Sequence, residues 1–174
     1  MTEEHLIDET DQHLTFSIGA ETFALEIDRA REVVDNTGVT EVPGMTGCLP
    51  GVFNLRGGIV SVIDLRQMLG VVAVEKNGEG CMIILEIDMD GELVTIGAPA
   101  DEVRGVVRFE PGSILPPPEI GTHINRDFIQ GVGKRDDEFV FILDIEKIIL
   151  RIESETRATP GNDSTSADKM GPSG

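Results

Sequence analysis

The chain has 174 residues and carries 32 acidic against 14 basic side chains, a formal charge of -18, so most of its surface repels a phosphate backbone and neither nucleic acid nor anionic lipid is an expected partner. It has no Trp or Tyr and only seven Phe, which argues against a ring-lined surface that stacks bases or sugars. Cys48 and Cys81 lie far apart and form no CxxC pair, which argues against a disulfide framework or zinc site and for free thiols in a reducing compartment.

Residues 1–12 open with Glu3, Glu4, Asp8 and Glu9, where a secretory signal needs a basic start and a long apolar run. They read as a disordered acidic N-terminus. Later apolar runs of about six residues fall short of the roughly 20 that span a bilayer, so the expectation is a cytoplasmic protein without membrane insertion. From residue 13 onward, short apolar runs alternate with turn signals, the grammar of an all-β sandwich or barrel with short helices. Residues 14–18 and 22–27 form a first hairpin about Gly19, and residues 52–55 and 59–63 form another about Arg56-Gly57-Gly58. Asp64 then stands as N-cap of a short helix over residues 65–69, closed by Gly70. Residues 82–87 and 92–96 flank Asp88-Met89-Asp90-Gly91, and residues 128–132 and 138–143 flank the charged turn Lys134–Asp137. Asp144 caps a last helix over residues 145–152, and residues 153–174, rich in Ser, Thr, Pro, Gly and Asp, read as a disordered tail.

The chain overlays on itself. Gly51-Val52 falls on Gly131-Val132 and Ile63-Asp64-Leu65 on Leu143-Asp144-Ile145, at one offset of 80, with no gap between them. Upstream, Arg31-Glu32-Val33-Val34 falls on Arg104-Gly105-Val106-Val107 and Val42-Pro43 on Leu115-Pro116, at an offset of 73. This assigns the seven extra residues of the second copy to the Pro-rich stretch after Pro116, where a loop lengthens cheaply. Each copy then holds a hairpin, a short connector helix, a strand ending at Pro, a second hairpin and an Asp-capped helix. A unit of about 60 to 70 residues is near the lower limit of stability alone, so two barrels packed through an apolar seam are expected. Their boundaries are residues 13–79 and 80–152, with the C-terminal strand or helix free to return to the first.

The segment GVFNLRGGIVSVIDLR, residues 51–66, resembles the signature of the chemotaxis coupling protein family CheW, a Gly-Val-x-Asn-Leu-Arg-Gly turn before an apolar strand ending in Asp-Leu-Arg. The likeness runs from about residue 13 to residue 151, through Phe23-Ala24-Leu25, Glu32-Val33-Val34, Val42-Pro43, Asp101-Glu102-Val103 and Ile129-Gln130-Gly131-Val132. It implies two intertwined five-stranded SH3-like β-barrels, and a non-catalytic adaptor that couples the cytoplasmic tip of a chemoreceptor to the regulatory domain of a CheA-type histidine kinase at membrane receptor arrays. It also implies an Arg56–Glu32 pair, places Ala30 and Gly51 near a receptor groove between the barrels, and makes Asn54, Arg56 and Gly57 a functional turn. The sequence departs from the family at Gly97-Ala98-Pro99-Ala100-Asp101; Pro99 cannot donate a ladder hydrogen bond, which bears on where the second barrel's edge lies.

Other chemistries fit less well. Arg56, beside two glycines at a hairpin tip, suits a bidentate grip on a carboxylate, either Glu32 or an acid of a partner. Asp64 and Asp144 offer two carboxylates to a small hydrolase, an alternative reading, but each sits where an N-cap belongs. Asp88–Glu92 has its Gly fourth where a calcium loop needs it sixth, and His5, His13 and His123 lack ligand spacing. Arg56-Gly57-Gly58 is no phosphate loop. No metal, nucleotide or other cofactor is expected. A CheW-like coupling protein of a surface-motility or gene-regulatory pathway is the other alternative.

Overall fold

The computed structural model describes residues 12–45, 47–71, 80–118 and 124–155. The first eleven residues and those beyond 155, expected to be disordered, lie outside them, as do His5 and His123.

Ten strands form: β1 (Gln12–Ile18), β2 (Glu21–Glu26), β3 (Ala30–Asp35), β4 (Gly51–Leu55), β5 (Gly58–Val62), β6 (Cys81–Met89), β7 (Glu92–Ala100), β8 (Glu102–Arg108), β9 (Ile129–Arg135) and β10 (Glu138–Leu143). Helix α1 (Leu65–Leu69) follows β5, and helix α2, residues 145–155, follows β10. The helix therefore runs three residues past its expected end at residue 152. All four hairpins turn on two residues, with Ile18 paired to Glu21, Leu55 to Gly58, Met89 to Glu92 and Arg135 to Glu138. Such turns follow the strand twist only with positive φ, which Gly19, Arg56-Gly57, Asp90-Gly91 and Asp136-Asp137 supply.

The strands assemble into two five-stranded sheets, ordered β8-β1-β2-β10-β9 and β3-β6-β7-β5-β4. If β1 to β5 are matched to β6 to β10, the two orders are identical. Each repeat lends its first hairpin to one sheet and its remaining three strands to the other. Two intertwined barrels form, as the resemblance implied, and the bounds 13–79 and 80–152 divide repeats rather than barrels, since every barrel contains strands of both. The repeats join at four ladders, the antiparallel β1–β8 and β3–β6 and the two parallel pairs, with Phe141 beside Phe23 and Ser61 beside Ile96.

Local irregularities repeat too. The β3–β6 ladder skips Arg31 and the β8–β1 ladder skips Arg104, the residues matched at offset 73. Past these bulges the equivalence shifts. Val52 bridges Thr40 and Val132 bridges Leu115, so Leu115 answers to Thr40 and not to Val42, and two of the extra residues come before Pro116. The strand expected to end at Pro43 ends at Asp35, and the connector helix is a 3-10 turn, Ile27–Arg29, in the first repeat only. In the second, Asp101 alone separates β7 from β8.

The exchange explains why central strands read as unbroken apolar runs. In β6, Ile83, Leu85 and Ile87 join a large cluster with Phe16, Phe23 and Leu25 of the other sheet and Ile145 and Ile148 of α2. The alternate residues Met82 and Ile84 pack with Phe53 and Val62 inside their own barrel. Ala24, Phe109, Val140 and Ile142 do the same in the other barrel. Both faces of these strands are dry, so period-two alternation is lost. Each fully buried Leu, Ile or Phe contributes roughly 1.5–3 kcal/mol, and most of those in the shared seam are lost if the barrels separate.

Pro99 costs no ladder bond. The Gly97 carbonyl accepts from the Ile63 amide on the β5 side, and Pro99, two residues on, has the same orientation. β5 pairs with β7 only at Ile96 and Gly97, so the missing N–H lies beyond the residues that β5 pairs.

Candidate functional site

The β4–β5 turn shapes the first candidate surface. The Asn54 side-chain oxygen accepts a 3.0 Å bond from the Gly57 amide, fixing a turn whose Arg56 and Gly57 have φ of 50° and 86°. Arg56 then reaches across to β3. Its Nη1 donates to Glu32 Oε2 at 3.0 Å and its Nη2 donates to Oε1. β3 and β4 are the two edges of their sheet, so this bidentate pair closes the barrel between its first strand and its last hairpin. Of the two partners left open for Arg56, the internal one holds it.

The pair is uneven in exposure, with the Arg56 side chain 66% and Glu32 26% accessible. Hydrogen bonding from Arg56 holds the Glu32 carboxyl below its ordinary value, opposed in part by desolvation and helped by the charges of Arg56 and Arg31. Arg31, in the bulge, bonds Glu86 of β6 at 2.9 Å. Ala30, half-buried at the start of β3, packs against the shared core.

Gly51 serves differently from a surface residue. The chain after β3 runs back to pair Thr40 with Val52, and a Cβ on Gly51 would stand 2.1 Å from the Thr40 carbonyl oxygen. Gly131 repeats this against Ile114 and Leu115, at 2.5 and 2.9 Å. Both glycines let a returning segment lie on an edge strand. Gly51 is some 16 Å along β4 from Arg56, so Glu32, Asn54, Arg56 and Gly57 gather at one mouth of the barrel while Gly51 lies at the other end of the strand.

A groove of about 180 Å³ opens near that other end, lined by Leu49, Ile63, Met89, Ile96, Ile149 and Ile152, with Ser61 and Glu153 at its margin. It lies where α2, which follows the last strand of one barrel, crosses the sheet of the other. Sequence reasoning also missed an exposed apolar set, Val33 at 40% and Ile59 at 76%, matched in the second repeat by Val106 at 51% and Phe139 at 59%. The signal was present, because Val60 and Val62 point inward and alternation turns Ile59 and Ser61 outward.

The caps behave as caps. Asp64 accepts from the Arg66 amide at 3.0 Å and Asp144 from the Lys147 amide at 3.1 Å. The two amides of Asp64 and Asp144 themselves donate to the Cys48 and Phe128 carbonyls, both at 2.8 Å, a pair matched at offset 80. The Asp88 side chain caps its own turn on the Gly91 amide. His13 is buried with its ring edge-on to Phe109, 5.4 Å between centroids. Cys48 and Cys81 are free and half-buried, and burial pushes both thiols up. Among the described residues no group of three or more His, Cys, Asp or Glu side chains could hold a metal ion, and no helix is long and apolar enough to cross a membrane.

The CheW-like domain family matches residues 12–153. A chemotaxis protein CheW of Helicobacter pylori is 31% identical over 142 residues, 82% of this chain and 83% of its own. One of Treponema pallidum is 29% identical, with 81% and 83% covered. The crystal structure of the scaffolding protein TtCheW from Thermoanaerobacter tengcongensis superposes with a TM-score of 0.68 at 32% identity, covering 78% of this chain and 84% of that one. The matched span takes in both barrels, helix α1, most of α2 and the Arg56 turn, and the chain belongs to the CheW-like family, as a chemotaxis scaffold and not an enzyme.

Proposed function

We propose that this protein couples a chemoreceptor to a CheA-type histidine kinase, holding both by surface complementarity. The observation that carries the reading is the family match over residues 12–153, which takes in every surface such an adaptor would use. The apolar groove beside Leu49, two residues before Gly51, suits the ridge of a helical receptor tip. Val33 and Ile59 are exposed on the two strands next to the residues of the Arg56–Glu32 pair, an apolar and polar mixture of the kind protein contacts use, which suits the kinase regulatory domain. An adaptor that binds two states of its partners unequally shifts their populations, so control needs no chemistry in this chain.

Pull-downs with separate kinase and receptor fragments test this. Leu49→Glu in the groove is expected to lose the receptor fragment and keep the kinase, and Ile59→Asp to do the reverse. Loss of neither fragment by either variant, with both folded by circular dichroism, ends the assignment.

A further inference from the structure

We propose that this fold is built for concentrated salt, its native state reaching full stability only with monovalent counter-ions at about molar concentration. The inference stands apart from the adaptor reading and starts from the -18 charge. Ten Arg and only four Lys, at 76, 134, 147 and 169, stand against the 32 acids, so fewer than half of the acids have a cation to offset them.

The placement of the acids is the stronger argument. The β9–β10 tip carries Asp136, Asp137 and Glu138 in succession, all exposed, with Asp136 and Asp137 at φ of 53° and 65°. The β6–β7 tip carries exposed Asp88, Asp90 and Glu92, with Asp90 at 58°. Positive φ in such turns is met without charge by Asn or Gly, as Gly57 and Gly91 show. Asp accepts positive φ as Asn does, so the turn geometry accounts for the shape of Asp136 and Asp137 but does not require their charge. Lys134, Arg135 and Arg104 stand near these acids, but the pairs are loose: Lys134 is 3.9 Å from an Asp137 carboxylate that is 98% exposed, and Arg104 is 3.7 Å from Glu138. Exposed pairs this loose contribute little.

The salt range follows from length scales. Neighbouring carboxylates on a hairpin tip lie roughly 5–8 Å apart. The screening length is about 10 Å at 0.1 M salt and about 3 Å at 1 M, so dilute buffer leaves the repulsion acting and molar salt removes it. The apolar seam does not depend on charge and is kept throughout.

The test is thermal melting of the full chain at pH 7 in KCl from about 0.1 to 2 M. The unaltered protein is compared with a variant carrying Asp88→Asn, Asp90→Asn, Asp136→Asn and Asp137→Asn, and with the double variant Asp136→Asn, Asp137→Gly, which installs the pair that two-residue turns favour. The unaltered protein is expected to gain about 10 °C or more across this range. Both variants should melt higher than it does in 0.1 M KCl and gain less from added salt. A melting temperature that stays flat or falls with KCl overturns the proposal. Equal gains in all three proteins also overturn it, because salting-out of the shared core would then be the whole effect.

Discussion

A glycine and an ion pair carry most of what single residues contribute here. Gly51 is held by backbone, since the nearest atom to an added Cβ is the Thr40 carbonyl oxygen at 2.1 Å, whereas a Cβ on Gly58 meets only the Leu55 oxygen at 3.4 Å. Gly51→Ala is expected to cost about 1–3 kcal/mol and Gly58→Ala well under 1 kcal/mol, read from urea midpoints. Equal midpoints would show that the 36–41 segment moves aside freely. A Gly51→Asp variant that loses a partner would therefore report a disturbed barrel edge before a blocked groove. The Arg56–Glu32 pair acts through pH. Glu32 is lowered in the folded state, so the unfolded chain binds its proton first as pH falls. The stability from this group is therefore present above the unfolded value and drains away as pH drops through the folded one. Following the Glu32 carboxyl by NMR, Arg56→Ala should raise its midpoint toward the ordinary carboxylate value; an unmoved midpoint would mean that another group holds it.

At the level of elements, the caps give the cleanest expectation. Asp64→Ala removes the acceptor for the Arg66 amide and should cost about 1 kcal/mol in thermal melting. Asp64→Asn keeps an acceptor and should cost far less. An equal loss in both would mean that the charge, through the Arg66 side chain at 3.2 Å, matters more than the cap. The four hairpins and both caps were legible because each depends on neighbours in sequence: a turn residue with positive φ, or an oxygen facing the next turn of helix. The returning segment at Thr40 was not legible. One bridge has no periodicity, and the Val42-Pro43 likeness to Leu115-Pro116 drew the register two residues off. The candidate site divides in the same way. The Arg56–Glu32 partnership came from family likeness, since 24 residues of separation give no local cue. Ile59 drew no separate notice within its apolar strand, although its alternation with Val60 had the answer.

For the whole molecule, the decisive fact is the exchange of strands between repeats. The repeat was plain in the sequence, but self-similarity says which segments are alike and is silent on which of them pair. Two side-by-side barrels and two interlocked ones have the same internal likeness, and they differ in what happens when the chain is divided. A cut in the 72–79 segment falls within none of the ten strands given above, yet it leaves residues 12–71 with β1 and β2 lacking β8 and β10, and with β5 lacking β7. Neither fragment then holds a complete sheet, and the seam of Phe16, Phe23, Leu25, Ile83 and Leu85 is opened to water. Side-by-side barrels would instead leave each half with a full sheet and one exposed face. Expressed separately, residues 1–75 and 76–174 are therefore expected to show no cooperative melting, and mixed in equal amounts to regain the strand signal and a single transition. Fragment association should tighten with KCl if the charge argument holds, since both halves carry an acid excess. A half that melts cooperatively by itself would mean that the barrels close within each repeat, and the sheet orders given above could not stand.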